Sequence, residues 1–522
     1  MKLQEIMIAA TVFALAASVA PAAQDEAAGE SAESAEAAAA AAAAAIATPA
    51  KEVVVSGALN SVVRVNVTRQ AYNFYQPWQK MTPNSRRGLG AVIAGNRVLV
   101  TGEMVANATY IELEKADSGS KATARVVAFD YEANIALLEP TEEHSEFLND
   151  MDPLQLDTSV KPGDSIDVWQ VEDNGTPVST SINVTKVETS PSFLDVASFL
   201  VYEATGPIQY RAGSFTVPVV RDGKLVGLLL NYTPKELVSN VLAAPIIESF
   251  LKDEADGQYD GFPELGIRVA KTLDEQFRNY LKLGDGEGGI YVSRVVRGSS
   301  AANAGLKEGD VILGIDGHQI DSRGNYDDPL YGKLALGHLV RGNAKMGQKI
   351  QLDILRDGER QELDVELIRR KPEDYLIQPY MIDRGPKFLI EGGLVFQELT
   401  RDYLKLYGDS WTTRAPIKFL LALTAPEELE DQGVEKIVFL SRVVPTPATV
   451  GYEQVNNIRV TKVNGNDIKN IADLAAALEQ PLDGHHRIEF DEFPYLIFLD
   501  PSLSKGINAQ LKQRIGTTER LD

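Results

Sequence analysis

The chain has 522 residues, 51 basic and 74 acidic side chains, a formal net charge of −23, 44% hydrophobic residues and no cysteine. That length suits about three or four domains of ~100–200 residues, each able to bury a core. The acid excess speaks against nucleic-acid binding, which needs clustered Lys and Arg, and the lack of cysteine excludes disulfides, thiol nucleophiles and thiolate metal sites. The histidines stand at 144, 318, 338, 485 and 486; only His485 and His486 are close, and neighbours on a strand point to opposite faces. Neither a metal nor a cofactor is expected.

Lys2 precedes an apolar run from Ile6 to Val19, and Ala20-Pro21-Ala22 supplies small residues for a signal peptidase. Residues 1–22 therefore read as a cleaved export signal. A transmembrane anchor is the competing reading, but the run falls short of the ~20 residues that cross a bilayer. Residues 23–50 collapse to Ala, Glu and Ser, with unbroken alanine from Ala37 to Ala45, which is a tether with nothing to bury. No later segment is long and apolar enough to span. The mature protein is expected to be soluble in a periplasmic or secreted compartment, with no stable membrane insertion.

From 51 to 255 short β-rich runs follow one another: 62–67, 90–101, 108–116, 122–130 and 134–140, then a second series including SIDVWQV, PVSTSINVTKVE, SFLVYEA, TVPVV and KLVGLLLNY. Runs rich in β-branched residues, separated by Gly, Asn and Asp turns, predict two six-stranded antiparallel barrels in tandem. The pieces NFYQPWQ (73–79), SRRGLGAVIAGNRVLVTGEMV (85–105), ARVVAFDYEANIALLEP (124–140) and AGSFTVPVVRDGKLVGLLLN (212–231) resemble, in order and spacing, the protease domain of the HtrA/Deg serine proteases, nearest the plant nucleolar type and its bacterial relatives. The resemblance implies a chymotrypsin-like double β-barrel.

The same resemblance places Glu103 where the family has its histidine base, in Thr-Asn-x-His-Val-Val. It places Asn134 at the orienting aspartate and Ser214 at the nucleophile of Gly-Asn-Ser-Gly-Gly. A solvated carboxylate of pKa ~4.3 is a poor base for a serine hydroxyl. Loss of the aspartate charge lowers turnover about 10⁴-fold even where the histidine is present. Ala212, Gly213, Phe215 and Thr216 replace the family's neighbours, and Ala212 and Phe215 disfavour the tight glycine turn of an oxyanion hole. His144, after Glu142 and Glu143, is either a relocated base or an exposed loop histidine, the latter preferred. Ser214 is expected to be an ordinary loop serine. No intact catalytic set is therefore expected.

Residues 258–372 contain FPELGIRV, TLDEQFRNYLKL, GGIYVSRVVRGSSAANAGLKEGDVILGIDGHQI and KIQLDILRDGERQELDVELI, which resemble a PDZ domain of the HtrA/Deg type. Ser299 to Ala304 suits a short helix closed at Gly305, Gly309-Asp310 turns the chain, and Asp316-Gly317 is a hairpin turn. The resemblance puts the carboxylate-binding loop at Glu264-Leu265-Gly266-Ile267. The N–H groups of Leu265, Gly266 and Ile267 can converge on a terminal carboxylate while the strand from Ile267 accepts a peptide as an added strand. The alternative is that this loop only packs against the barrel. The ligand-side helix is expected within 334–341, with Leu336, Leu339 and Val340 forming the pocket, and Gly266→Val is expected to weaken docking without unfolding.

Residues 385–520 resemble the divergent second PDZ domain of that subgroup, through 391–411, 436–478 and 487–500, especially Gly451-Tyr452-Glu453 and the Val463-Asn464-Gly465 turn. An amphipathic helix is predicted at 470–479 with Ile471, Leu474 and Leu478 on one face. Tyr452 and Glu453 form either a structural corner, which is favoured, or a subunit contact. The resemblance associates this module with assembly, as a trimer or dimer of trimers.

The fold expected is thus mainly β, a double barrel followed by two PDZ-like α/β modules. The function expected is an exported pseudoprotease that binds unfolded or C-terminal peptide segments in protein quality control, as scaffold, holder or regulator. An active serine endopeptidase with unconventional residues and a purely structural scaffold are the alternatives.

Overall fold

The structure is a computed structural model that describes residues 58–209 and 214–522; the signal, the tether, Ala212 and Gly213 lie outside the described residues. The first sheet contains β1 (Val62–Arg69), β2 (Asn84–Ile93), β3 (Arg97–Val100), β4 (Ala108–Lys115), β5 (Lys121–Asp130) and β6 (Ile135–Pro140). Its order is β1-β4-β5-β6-β3-β2, and β1 also pairs with β2, so the six strands close into a barrel. The run expected at 90–101 is two strands turned at Gly95 and Asn96, both at positive φ. At Gly90 the strands pack too closely for a side chain: a Cβ there would meet Val98 Cγ1 at 2.3 Å.

The second barrel is closed in the order β11-β12-β13-β9-β8-β7. It is built from β7 (Ser165–Val171), β8 (Pro177–Pro191), β9 (Ser198–Thr205), β11 (Val217–Arg221), β12 (Lys224–Thr233) and β13 (Val238–Ala243). Between β9 and β11 lies β10 (Ser214–Phe215), which runs parallel to β2 and adds a seventh strand to the first sheet. β13 was not foreseen. The helix Ala244–Glu254 follows it, with Pro245 in its first turn and Ile246, Ile247 and Phe250 in the core, consistent with the preference of proline for a helix start.

A third sheet, β14-β15-β16-β20-β21, contains β14 (Ile267–Ala270), β15 (Ile290–Val295), β16 (Val311–Ile315), β20 (Lys349–Arg356) and β21 (Glu359–Glu366). The short β17 (His318–Gln319) pairs with β16 across Asp316 and Gly317, both at positive φ, as a two-residue hairpin demands. The hairpin of β18 (Asn325–Asp328) and β19 (Gly332–Ala335) leads into the helix Gly337–Arg341. Leu334 therefore belongs to a strand, not to that helix.

The last sheet has the order β28-β27-β25-β24-β23-β22-β29. Its strands are β22 (Phe388–Glu391), β23 (Leu394–Glu398), β24 (Val438–Val443), β25 (Ile458–Val463), β27 (His486–Phe490), β28 (Leu496–Leu499) and β29 (Glu519–Arg520), with β26 (Asn466–Asp467) paired to β25 across Asn464-Gly465. The helix Ile471–Leu478 buries Ile471, Leu474 and Ala477, while Leu478 is only half-buried. Short helices between 401 and 430 and a long helix Pro501–Ile515 complete the module. The β1–β2 connection reaches out to it: Trp78 packs on Phe388 with ring centroids 6.3 Å apart, and Arg520 donates to the Pro77 carbonyl at 3.1 Å.

Candidate functional site

Two places were singled out as sites. In the first barrel, Glu103 lies in the one-turn helix Gly102–Val105 after β3. Its carboxylate is ion-paired with Arg86 at 2.8 Å, and Arg86 also donates to the Glu103 carbonyl. Asn134 is buried at φ 57, and its Oδ1 accepts the Glu103 N–H at 2.8 Å. Ser214 does not lie in a loop: its backbone is extended in β10 with Ser214 opposite Arg87. Nearby Thr216 ties the sheet together, its hydroxyl accepting the Thr101 N–H at 3.0 Å and its carbonyl the Leu89 N–H at 3.1 Å. These residues form a neighbourhood, but the polar groups of Glu103 and Asn134 are used to hold one another and Arg86. An extended strand at Ser214 also differs from the tight turn that presents an oxyanion hole. His144, the only histidine of the two barrels, sits in a one-turn helix against the Thr141 hydroxyl at 3.2 Å.

The second place is the loop before β14. Its carbonyls turn inward: the Glu264 carbonyl accepts from the Ser300 hydroxyl, that of Leu265 from Ala301 N–H at 3.0 Å, and that of Gly266 from Val296 N–H at 2.8 Å. Its donors do not. The N–H groups of Leu265 and Gly266 have no acceptor among the described residues. Because Gly266 and Val296 are bonded, the next pair, Ile267 with Val295, is the non-bonded one of the antiparallel ladder, so the Ile267 N–H faces the free edge.

That edge borders a cavity of about 660 Å³. Ile267 and Val269 form one wall, Leu336 and Val340 a second, and Val196 and Ala197 of the β8–β9 turn a third. Leu339 is not among its lining residues and packs in the core instead. Glu264 is fixed at the rim by Arg341 at 2.8 Å and by the Tyr375 hydroxyl at 3.1 Å. Arg341 offsets a charge that would otherwise repel an incoming carboxylate. Gly266 has φ 71, and a Cβ there would lie 2.2 Å from the Ser299 Cβ. A substitution at 266 therefore strains the module itself, contrary to the expectation that Gly266→Val spares the fold.

Sequence reasoning missed Arg341, Tyr375 and the β8–β9 wall. The signal for the wall was present in part, since the turn at 192–197 is rich in apolar residues, Phe193, Leu194, Val196 and Ala197. It also missed a buried network that docks this module on the first barrel. Asp130, 0% exposed in its side chain, pairs with Arg369 at 2.8 Å and accepts from Tyr259 at 2.8 Å. Burial pushes the neighbouring Glu132 carboxyl above its ordinary range, opposed by the Arg369 charge.

In the last module β22 and β29 lie beyond β23, where β14 has an open edge. Tyr452 packs against that module's core, and Glu453 accepts the Gly451 N–H at 3.0 Å.

Two PDZ domain models match the chain, one over residues 263–367 and another over 377–514. Among curated relatives, Protease Do-like 4, mitochondrial, of Arabidopsis thaliana is 28% identical over 425 residues, covering 81% of this chain and 77% of the relative. Protease Do-like 2, chloroplastic, of the same plant is 28% identical over 441 residues, covering 83% and 70%. Periplasmic serine endoprotease DegP of Escherichia coli (strain K12) is 25% identical over 291 residues, covering 54% and 56%. Among solved structures, the HtrA-type protease AlgW with tripeptide matches at TM-score 0.47 and 21% identity, covering 61% of this chain and 97% of that one. Among the described residues no helix is long and apolar enough to cross a membrane.

Proposed function

The chain belongs to the HtrA/Deg family of proteases with PDZ domains, and from that premise we propose that it is an exported pseudoprotease that captures peptide segments or C-termini through its first PDZ module. The observation that carries the reading is a strand edge with unpaired donors, Leu265, Gly266 and Ile267, facing a cavity of about 660 Å³. An extended peptide lengthens the sheet along β14, its terminal carboxylate meets the loop, and its apolar side chain enters between Leu336 and Val340. Support for the loss of proteolysis comes from Glu103, paired with Arg86, and Asn134, bonded to the Glu103 N–H, at the base and orienter positions. Export rests on the Lys2 to Ala22 pattern, and assembly as a trimer or dimer of trimers on the family. In this reading the chain serves protein quality control as scaffold, holder or regulator.

One peptide strand gains few contacts and loses chain entropy, so affinity is expected in the micromolar range, about −8 kcal/mol. Fluorescence polarisation with an apolar pentapeptide, as free acid and as amide, tests it. The free acid is expected to bind at least tenfold tighter. Gly337→Trp should weaken it, because Gly337 lines the cavity and its Cβ direction is open. Equal affinity for the two peptides would refute the carboxylate site. Labelling of Ser214 by a fluorophosphonate would refute the pseudoprotease and favour an unconventional endopeptidase.

A further inference from the structure

The strands β15 and β24 share four residues at matching places, Ser293-Arg294-Val295-Val296 and Ser441-Arg442-Val443-Val444. Arg294 is ion-paired with Glu427 and lies 3.8 Å from Glu308. The Arg442 side chain has no ion pair or hydrogen bond among the described residues, and its Nε and Nη1 are sealed from solvent without an acceptor. Its Cζ instead lies 4.5 Å from the ring centroid of Tyr75 and 5.9 Å from that of Trp78. Both rings come from the β1–β2 connection, so the site is completed by a segment about 360 residues earlier in the chain.

Arg442 borders a cavity of about 400 Å³ together with Tyr75, Tyr403, Tyr407, Ser441 and Asn456. Much of that wall is already satisfied: the Tyr403 hydroxyl donates to Asn457 at 2.9 Å, and Ser441 donates to the Val395 carbonyl at 3.0 Å while accepting from Gln397. The guanidinium is not. Aromatic faces offset only part of the desolvation of a cation, so the guanidinium still favours an anionic partner where it borders the cavity.

We propose that this pocket binds a carboxylate group carried by a peptide, with Arg442 as its cation. Tyr75 and Leu406, 52% and 49% exposed, form an apolar rim for the residue that bears the carboxylate. The charge of the pocket selects the ligand. Among the described residues Arg442 is its one unpaired cation, and Glu453 also lines it, with its Oε2 accepting the Gly451 N–H at 3.0 Å. With Glu453 on the wall, a monoanion is repelled less than a phosphate dianion, so the pocket favours the smallest anionic charge. A chain end and an acidic side chain present the same carboxylate chemistry to Arg442, and the test distinguishes them.

The test uses the full chain carrying Gly337→Trp, which blocks the first groove. Three acetylated pentapeptides serve as probes for calorimetry: a neutral apolar sequence as free acid, the same sequence as amide, and the amide with glutamate at its centre. At least one carboxylate-bearing probe should bind, at least tenfold tighter than the neutral amide. Arg442→Gln should remove that preference, and Arg442→Lys should keep part of it. Preference for the free acid assigns a chain end, and preference for the glutamate peptide assigns a side chain. Equal binding of all three, or an unchanged preference in folded Arg442→Gln, overturns the proposal and leaves Arg442 as a stacking residue only. Should Arg442→Gln fail to fold, phenylglyoxal modification of Arg442, mapped by mass spectrometry, decides: protection by the carboxylate probe and not by the neutral amide is expected, and its absence overturns the proposal. In the chain without Gly337→Trp, the first groove reports separately, so either site can fail alone.

Discussion

The two PDZ modules place the same strand in the same register and give it different neighbours. β14 follows Gly266 and pairs Ile267 with Val295; β23 follows Gly393 and pairs Leu394 with Val443. Each ladder shifts register within its first three residues. In the first module β14 ends the sheet, and its edge borders the cavity. In the last, β22 folds back across Gly392-Gly393 and β29 joins it, so the chain supplies its own added strands. Gly393 has φ 110, and a Cβ there would lie 2.6 Å from the Val444 carbonyl oxygen, so the hairpin closes only with glycine. A PDZ strand thus becomes an open edge or a covered one according to what the rest of the chain lays beside it.

The strongest way to break the comparison is to loosen the covering strand. Phe388 in β22 is fully buried with Ile390, Val395, Ile507 and Leu511. Phe388→Ala should cost about 3–5 kcal/mol, read by calorimetry as an earlier melting of the last module. If the melting is unchanged, β22 is not part of that module's core.

The open groove should respond to acid. His338, in the ligand-side helix, is buried, and burial pushes its pKa down to about 4, opposed by Asp328. The folded state therefore resists protonation while the unfolded chain takes a proton near 6.5. The stability tied to neutral His338 is complete above about pH 6.5 and is lost as pH falls toward 4, roughly 3 kcal/mol in all. His338→Gln should flatten the pH dependence of denaturant midpoints in that window; an unaltered slope would show that other groups produce it.

The smallest effects on stability belong to residues with open neighbours. Ile267 is only half-buried, so Ile267→Ala should cost below about 1 kcal/mol yet weaken the free-acid peptide severalfold. Glu103→Gln removes a partly exposed ion pair and should also cost below about 1 kcal/mol, with casein hydrolysis at background before and after. A loss of hydrolysis in Glu103→Gln would show that the cleft works.

Some of this was legible in local chemistry. The runs at β1, β5 and β6 matched their strands within two residues because β-branched alternation is a property of neighbours. Asp316-Gly317 was read as a hairpin turn and Asn464-Gly465 as a turn because those residue pairs tolerate positive φ. β13 was missed because its apolar end, Val241 to Ala243, runs without a break into the helix beginning at Ala244, and periodicity does not divide a short apolar run. β10 was missed because two residues form a strand there only by lying beside β2.

The sequence by itself determined the two barrels, the two modules and the turn before Ile267, since these depend on local pattern and residue identity. The tertiary structure decided which of these can act. Ser-Arg-Val-Val occurs twice, yet Arg294 is neutralised by Glu427, 133 positions away, and Arg442 is left beside Tyr75 and Trp78 with no anion among the described residues. Likewise the glycine before β14 opens an edge, whereas the glycine before β23 closes one. Pairing, burial and edge exposure are set by contacts between segments far apart in the chain, and no local pattern encodes which partner arrives.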